Sequence, residues 1–329
     1  MILMKRAFIT GGSGHVGANL IRRLINQGWQ VRCLVHNDTR ALEGLDVDCV
    51  NGDLLDEDFL SQQMQDCYAV FHAAANVAIE NIDIPLMEKI NIDGTRSMCN
   101  AALRSDIDRF VHFSSIHAFE QKPLQATLDE HRPLVDQTGS APYDSTKASA
   151  ELVVKKAHER GLKTIIINPT GIIGPYDFKP SRMGQVISDI MNRKMLFTIN
   201  NGFNWVDVRD VCNIAIESVD SGKPGSNYIV PGSWASFEDL ANVISKIINK
   251  NTRWLTLPFW TAYCFLPMAY CIAKLTGSRP SFSRGSLHAL AVQAKKISSR
   301  KVEKEFNFKA RPLEETIRDT INWIKEHVD

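Results

Sequence analysis

The chain has 329 residues, 44% hydrophobic and 23% charged, with a formal net charge of +1. That is ordinary globular composition, enough for one large domain or two, and its near neutrality advertises neither a nucleic-acid nor an acidic-lipid partner. Cysteines at positions 33, 49, 67, 99, 212, 264 and 271 form no C-x-x-C pair, which argues against a disulfide framework or zinc site and for a reducing compartment.

The apolar start of MILMKRAFITGG is too short for a signal peptide, so the cytoplasm is the expected location. Ala7-Phe8-Ile9 reads as a strand, and His15 to Asn26 as a helix with Val16, Leu20 and Leu24 on one side. Further strands are expected at Val31 to Val35, Val47 to Asn51, Ala69 to His72, Phe110 to Phe113 and Thr164 to Asn168, with a helix from Asp144 to Arg160. Such alternation predicts an α/β fold: a doubly wound parallel sheet with helices on both faces and right-handed crossovers. After Pro175 the rhythm breaks into loops, short strands and helical patterns rich in proline. The last segment, PLEETIRDTINWIKEH, places Pro312 at a first helical position and Leu313, Ile317, Ile321 and Ile324 on one stripe. We expect residues 1–175 to form the main domain, with 203–230 returning to it. Residues 176–202 and 231–329 then build a smaller α/β domain for substrate.

Thr10-Gly11-Gly12-Ser13-Gly14-His15-Val16-Gly17 joins the first strand to the first helix. Glycines there permit a tight turn and close approach of backbone to a pyrophosphate, and the helix N-terminus offers free N–H groups. The loop therefore predicts a dinucleotide site of Rossmann type through Gly11, Gly14, His15, Val16 and Gly17. An acid at the end of the second strand holds a ribose 2′-hydroxyl, whereas a base tolerates a 2′-phosphate. The chain reads VRCLVHNDTR, with His36 at the expected acid position, Asp38 two residues on, and Arg32 and Arg40 nearby. This favours NADP(H) and leaves NAD(H) open. The nine histidines contain neither H-x-x-x-H nor H-E-x-x-H, so no metal is expected.

YDSTK sets Tyr143 one helical turn before Lys147. A cation there favours the ionised phenol, so the pair reads either as a tuned acid/base or as the exposed start of a helix.

Seven ordered motifs then resemble the extended group of the short-chain dehydrogenase/reductase superfamily. They are TGGSGHVG, Gly52-Asp53-Leu54, His72-Ala73-Ala74-Ala75, Asn91-Ile92-Asp93-Gly94-Thr95, FSSIHAF at 113–119, NPTGIIGP at 168–175 and WVDVRDV at 205–211. Asn168, Ile173 and Phe119 depart from the usual pattern. ALEGLDVDCVNGDLLD and ISSRKVEKEFNFKARPLEET look like the bacterial branch of dihydroflavonol-4-reductase-like and hopanoid-associated sugar epimerase-like proteins, akin to 3β-hydroxysteroid dehydrogenases. The resemblance implies Tyr143 as acid/base and Lys147 as holder of the nicotinamide ribose. It implies Ser115, four residues before Phe119, as the hydroxyl that polarises the substrate oxygen, and Asn91 as part of a proton relay. Asp53 and Leu54 should touch adenine, Ala73, Ala74 and Ala75 should flank the coenzyme, and Pro169, Thr170 and Ile172 should border the nicotinamide. A homodimer is the usual assembly in the group.

Nucleotide-sugar members usually carry an arginine in a stretch that here reads NGFNWV, with Asn204 and Trp205 near its place. A diphosphate would lose a strong contact. His117, Met183, Phe203 and Trp205 are candidate substrate contacts, and they favour an apolar or aromatic ketone or secondary alcohol. A nucleotide-sugar epimerase or dehydratase with tightly held NAD is the alternative, and a non-catalytic redox-sensing regulator a remoter one. Leu255 to Leu275 is apolar for about one bilayer crossing but broken by Pro258 and Pro267. It reads as buried helices or a flap over the pocket, with peripheral membrane attachment as the alternative.

Overall fold

A computed structural model describes residues 4–77, 83–136, 140–195, 197–250, 252–276 and 282–327. The first three residues of the N-terminal apolar run and Pro280 lie outside them. Among the described residues, twelve strands fall into three sheets. The large sheet holds β1 (Arg6–Thr10), β2 (Gln30–Val35), β3 (Asp48–Asn51), β4 (Ala69–His72), β5 (Arg109–Phe113), β6 (Thr164–Pro169) and β10 (Ser226–Val230). Their order is β10-β6-β5-β4-β1-β2-β3 and every pairing is parallel. Strand order reverses between β1 and β4, which opens a crevice at their C-terminal ends.

The described helices, in chain order, are α1 (His15–Asn26), α2 (Glu57–Met64), α3 (Ile84–Glu88), α4 (Gly94–Arg104), α5 (Pro142–Glu159), α6 (Arg182–Met191), α7 (Val208–Ser221), α8 (Phe237–Ile247), α9 (Thr261–Cys264), α10 (Leu266–Thr276), α11 (Arg284–Val292), α12 (Arg300–Phe306) and α13 (Leu313–His327). Successive strand side chains point to opposite faces, and here both faces are dry. Phe8, Val70, Phe110 and Ile166 meet Leu60, Met98 and Val154 of α2, α4 and α5. Ile9, Phe71, Val111 and Ile165 meet Leu20 and Leu24 of α1 and Val211 and Ala215 of α7.

The smaller lobe contains a three-stranded sheet, β11 (Ser233–Ser236), β9 (Gly202–Asp207) and β7 (Gly171–Ile173), and the pair β12 (Leu255–Leu257) with β8 (Phe197–Ile199). Its core gathers Ile187, Trp205, Phe237, Leu240 and Leu290. The C-terminal stripe docks there: Ile317, Ile321 and Ile324 are buried and Leu313 packs beside them, although the helix starts one residue after Pro312. Within 203–230, β9 stays with the small sheet while α7 and β10 join the large lobe. Between Ala294 and α13 the chain also returns to the large lobe: Val302 enters its core, Phe306 packs on Tyr228, and Lys296 O accepts from Leu128 N. Asp207 knits the lobes by capping α7 at Arg209 N (2.8 Å) and accepting from Thr316 Oγ1 (2.8 Å) and the Arg209 guanidinium.

Candidate active site

The turn after β1 is built for close approach. Gly11 has φ +77°, and a Cβ there would lie 2.6 Å from the Ala73 carbonyl carbon. A Cβ on Gly17 would sit 2.2 Å from Gly11 O. Gly14 caps α1 without a side chain, and no acidic residue stands in the first turn. The first helical N–H groups, from His15, Val16 and Gly17, therefore remain donors with a positive dipole end behind them. Glycine cradle and uncapped helix together fit a dinucleotide pyrophosphate. The His15 ring points elsewhere, with Nε2 bonded to Gly174 O and Pro175 O at 3.1 Å each. It ties the glycine turn to the β7–α6 connection.

At the end of β2, His36 is exposed. Arg32 is occupied, bonding Asp48 at 2.6 Å and Gln63 O at 2.9 Å. Arg40 forms a two-pronged pair with Asp38 (2.9 and 2.7 Å), and that guanidinium holds the Asp38 carboxyl down at about 2. Asp53 is exposed and accepts from Leu55 N at 3.0 Å; Leu54 packs under Gly94. Ala73, Ala74 and Ala75 line the crevice edge half-buried, fixed by Ala73 N to Thr10 O and Ala74 N to Thr10 Oγ1.

A buried polar chain runs behind that edge. Thr95 Oγ1 gives its proton to Asn91 O (2.6 Å), so His72 Nε2 must donate to Thr95 Oγ1 (3.0 Å). Nδ1 of His72 then accepts from Thr10 Oγ1 at 2.7 Å. Burial pushes this ring down to about 3, so it stays neutral. His112, 5.3 Å from it ring to ring, is buried and also driven well down, first by burial and then by Lys147 and His72. Asn91 sits in a π-type turn, Lys89–Asp93, a distortion common at functional sites. Its amide bonds Asn76 N (2.7 Å), Asn76 O (3.0 Å) and Thr146 Oγ1 (3.1 Å), which fastens the 73–76 loop to α5.

Tyr143, Lys147 and Ser115 come together where α5 begins beside the end of β5. Lys147 Nζ is buried and donates to Phe113 O at 2.8 Å. Burial lowers its ammonium to about 8, with Glu151 acting in the opposite direction. Ser115 caps the 3-10 turn Ile116–Ala118 by accepting from His117 N at 3.2 Å, and it is the hydrogen-bonding neighbour of Tyr143. Tyr143 departs from the sequence reading. Burial raises its phenol to about 12, and the Asp144 carboxylate adds to this against the Ser115 hydrogen bond. With the ammonium given to a backbone carbonyl, desolvation outweighs the expected cationic pull.

Beneath them lies a carboxylate that sequence reasoning missed. Glu151, fully buried one turn after Lys147, accepts from Asn168 Nδ2 (2.5 Å) and Asn227 Nδ2 (2.7 Å). Asn168 Nδ2 also bonds Ser115 O at 3.0 Å, so this network positions the serine. The signal was present in Asn168, which departs from the arginine usual in the motif. Burial raises the Glu151 carboxyl. Glu151→Ala strips one acceptor from each of two buried amides, which keep only Ser115 O and Asn168 Oδ1, and should cost roughly 2–4 kcal/mol in urea unfolding. It should also move the Lys147 titration to lower pH, since Glu151 is the group that holds it up. An unchanged unfolding midpoint would refute this.

A cavity of about 50 Å³ adjoins Ser115, lined by Ile116, His117, Gln121, Thr170, Phe203 and Ala294 among others. Its amides are already committed. Gln121 Nε2 bonds Ile116 O and Phe119 O, and Asn204 Oδ1 accepts from Thr170 Oγ1 (2.9 Å) and Gly232 N (2.8 Å). His117 Nδ1 has no hydrogen bond and lies 3.8 Å from Asp144 Oδ1. Of the substrate candidates, Phe203 and His117 reach this cavity. Trp205 stands instead in the small-lobe core with Nε1 donating to Ala235 O, and Met183 packs on that core. Pro169 and Thr170 are buried at the end of β6, and Ile172 packs on the large-lobe core. Among the described residues no group of three or more His, Cys, Asp or Glu is placed to hold a metal.

Comparison with known proteins finds relatives by sequence and by fold. The sequence model of the NAD dependent epimerase/dehydratase family matches residues 7–230. A putative dihydroflavonol 4-reductase of Synechocystis is 31% identical over 97% of this chain and 94% of its own length. Sterol demethylase protein B of Methylococcus capsulatus is 32% identical over 76% of each chain. The crystal structure of gox2253 superposes with a TM-score of 0.84 at 29% identity, covering 98% of this chain and 99% of the other.

Proposed function

The chain belongs to the NAD dependent epimerase/dehydratase family, and from that premise we propose that it is an NADP(H)-dependent oxidoreductase acting on the ketone or secondary alcohol of an apolar, lipid-like or aromatic molecule. The observation that carries the substrate class is the wall beside Ser115. Ile116, Phe203, Ala294 and Ile297 supply its apolar lining, and Asn204, in the place of the diphosphate-gripping arginine, is consumed by Thr170 and Gly232. A diphosphate entering there finds no cation in the lining, whereas an apolar body is matched. The names of the two sequence relatives, a dihydroflavonol reductase and a sterol demethylation protein, support the same class.

The bound coenzyme supplies or accepts the hydride at the carbinol carbon. Tyr143 gives its phenolic proton to the substrate oxygen in reduction and takes it back in oxidation. Ser115, held by Asn168 at its carbonyl, hydrogen-bonds the same oxygen and stabilises the charge that develops on it. Lys147 provides positive charge to the phenolate side of that exchange. Asn91 holds the 73–76 loop to α5, so its part is to keep the crevice edge in register.

For the coenzyme, the reading rests on exposed His36 and on Arg40, whose surface pair with Asp38 must open toward a 2′-phosphate, whereas Arg32 is largely covered and held by both Asp48 and Gln63 O. Arg40→Ala should weaken NADPH binding roughly tenfold, the loss of one charge-assisted contact, and leave NADH within about twofold. Isothermal titration measures both; tighter binding of NADH than NADPH by the unaltered protein would remove the NADP assignment. The reaction itself is tested by incubating the protein with NADPH and a panel of steroid, flavonoid and long-chain ketones alongside UDP-sugars. Reduction of a hydrophobic ketone is expected. Conversion of a UDP-sugar with no hydrophobic ketone reduced would overturn the proposal in favour of an epimerase or dehydratase.

A further inference from the structure

We infer that β12, α9 and α10 form a docking face for a lipid bilayer bearing anionic headgroups. Half of the exposed large apolar side chains among the described residues fall between Leu255 and Leu275. Trp260 is 66% exposed, Met268 51% and Leu275 86%, with Leu255, Tyr263 and Tyr270 exposed beside them in the chain. Exposed large apolar side chains concentrated in one short stretch of the chain mark an interaction site. Tryptophan and tyrosine in particular suit a boundary that is apolar on one side and wet on the other.

Charge identifies the occupant. Net charge over the chain is +1, yet no acidic residue occurs between Asp239 and Glu303. Lys250, Arg253, Lys274, Arg284, Lys295 and Lys296 all fall in that interval. Lys274 rises from α10 itself, Arg253 precedes β12, and Arg284 opens α11, which packs on α9. None of these three has an acidic partner among the described residues, unlike Lys246, which faces Glu314. A second copy meeting this face two-fold would set like charges against each other, whereas anionic headgroups neutralise them. The chain lies on the bilayer and does not cross it: no described helix is long and apolar enough, and Pro258 and Pro267 break the stretch.

This face is coupled to the cavity. Ala262 of α9 and Leu287 and Leu290 of α11 share one core, and Gln293 and Ala294, just beyond α11, line the cavity beside Ser115. Ala294 N donates to Gln121 Oε1 and Gln293 Nε2 to Gly202 O, so the same segment closes the pocket. Delivery of a lipid-like substrate from the bilayer is the consequence, and that consequence rests on the oxidoreductase reading above.

The test is flotation of the intact protein with vesicles of phosphatidylcholine alone or containing phosphatidylglycerol. Binding to the anionic vesicles should exceed that to the neutral ones by roughly tenfold or more at low salt. It should fall as salt is added. The pair Lys274→Glu with Arg284→Glu, and separately Trp260→Ser with Leu275→Ser, should each lower binding roughly tenfold. All four positions are exposed, so melting temperature and coenzyme affinity should stay those of the unaltered protein. Equal recovery on both vesicle types, or variants that float as the parent does, overturns the inference. So does a dimer in light scattering that Trp260→Ser with Leu275→Ser dissociates, because the face would then be covered by a second copy. Flotation needs no turnover, so its outcome is independent of the ketone-reduction assay.

Discussion

Tyr143→Phe is expected to cut kcat for ketone reduction by roughly 10³-fold while leaving the coenzyme Kd within about threefold. The ring keeps its packing, and only the hydroxyl beside Ser115 is lost. That hydroxyl is the group proposed to hand a proton to the substrate oxygen as hydride reaches carbon. Its raised affinity for the proton, about 12 in the free protein, keeps it fully protonated through neutral pH. In the reductive direction this is the required form. The phenolate needed for oxidation is scarce until ligands fill the crevice, so reduction should be the easier direction at neutral pH. Loss of reduced-nicotinamide absorbance gives kcat, and coenzyme fluorescence gives Kd. Turnover within tenfold of the unaltered protein would take Tyr143 out of the mechanism.

Lys147→Met should separate function from stability in opposite directions. Turnover is expected to fall at least roughly 10²-fold and coenzyme affinity to weaken, since the buried ammonium beside the crevice is gone. Stability should rise at neutral pH. Burial lowers the lysine from 10.5 to about 8, so the folded protein binds that proton less tightly than the unfolded chain. The penalty is fully present below about pH 8, shrinks as the folded protein releases the proton above it, and disappears above the unfolded value of 10.5. The shift corresponds to about 3 kcal/mol. Removing the bond to Phe113 O returns about 1 kcal/mol of it, leaving a net gain of about 2 kcal/mol at pH 7. Urea unfolding at neutral and alkaline pH reads this directly. A methionine variant less stable than its parent at neutral pH would show that the ammonium is not desolvated as the structure places it.

Several elements were readable because their signals are local. Ala7-Phe8-Ile9 and Thr164 to Asn168 are apolar, largely β-branched or aromatic runs too short for helices, and both became strands of the same parallel sheet, with β4 and β5 between them. The glycine turn was readable because only glycine can occupy Gly11 at φ +77° against Ala73. The amphipathic stripe of α13 was readable from its spacing alone. Trp205 was misleading for a related reason. An aromatic in a short strand announces burial, but Phe203 and Trp205 share one face of β9 with rings 5.2 Å apart, and spacing does not say where along that face the core ends and the cavity begins. Phe203, two residues earlier in β9, is the one that reaches the cavity.

By itself the sequence determined the fold family, the dinucleotide turn and the order of Ser115, Tyr143 and Lys147, because each depends on backbone conformation or spacing within a few residues. The tertiary structure decided everything that depends on what is packed around a side chain. It turned the phenol of Tyr143 toward the proton rather than away from it, committed Arg32 to Asp48 and Asn204 to Gly232, and set a buried Glu151 under the lysine. It also gathered the aromatic surface of Leu255 to Leu275 with cations that the balanced total charge conceals. Desolvation and hydrogen-bond partnership arise from contacts between residues far apart in the chain, and no local pattern encodes them.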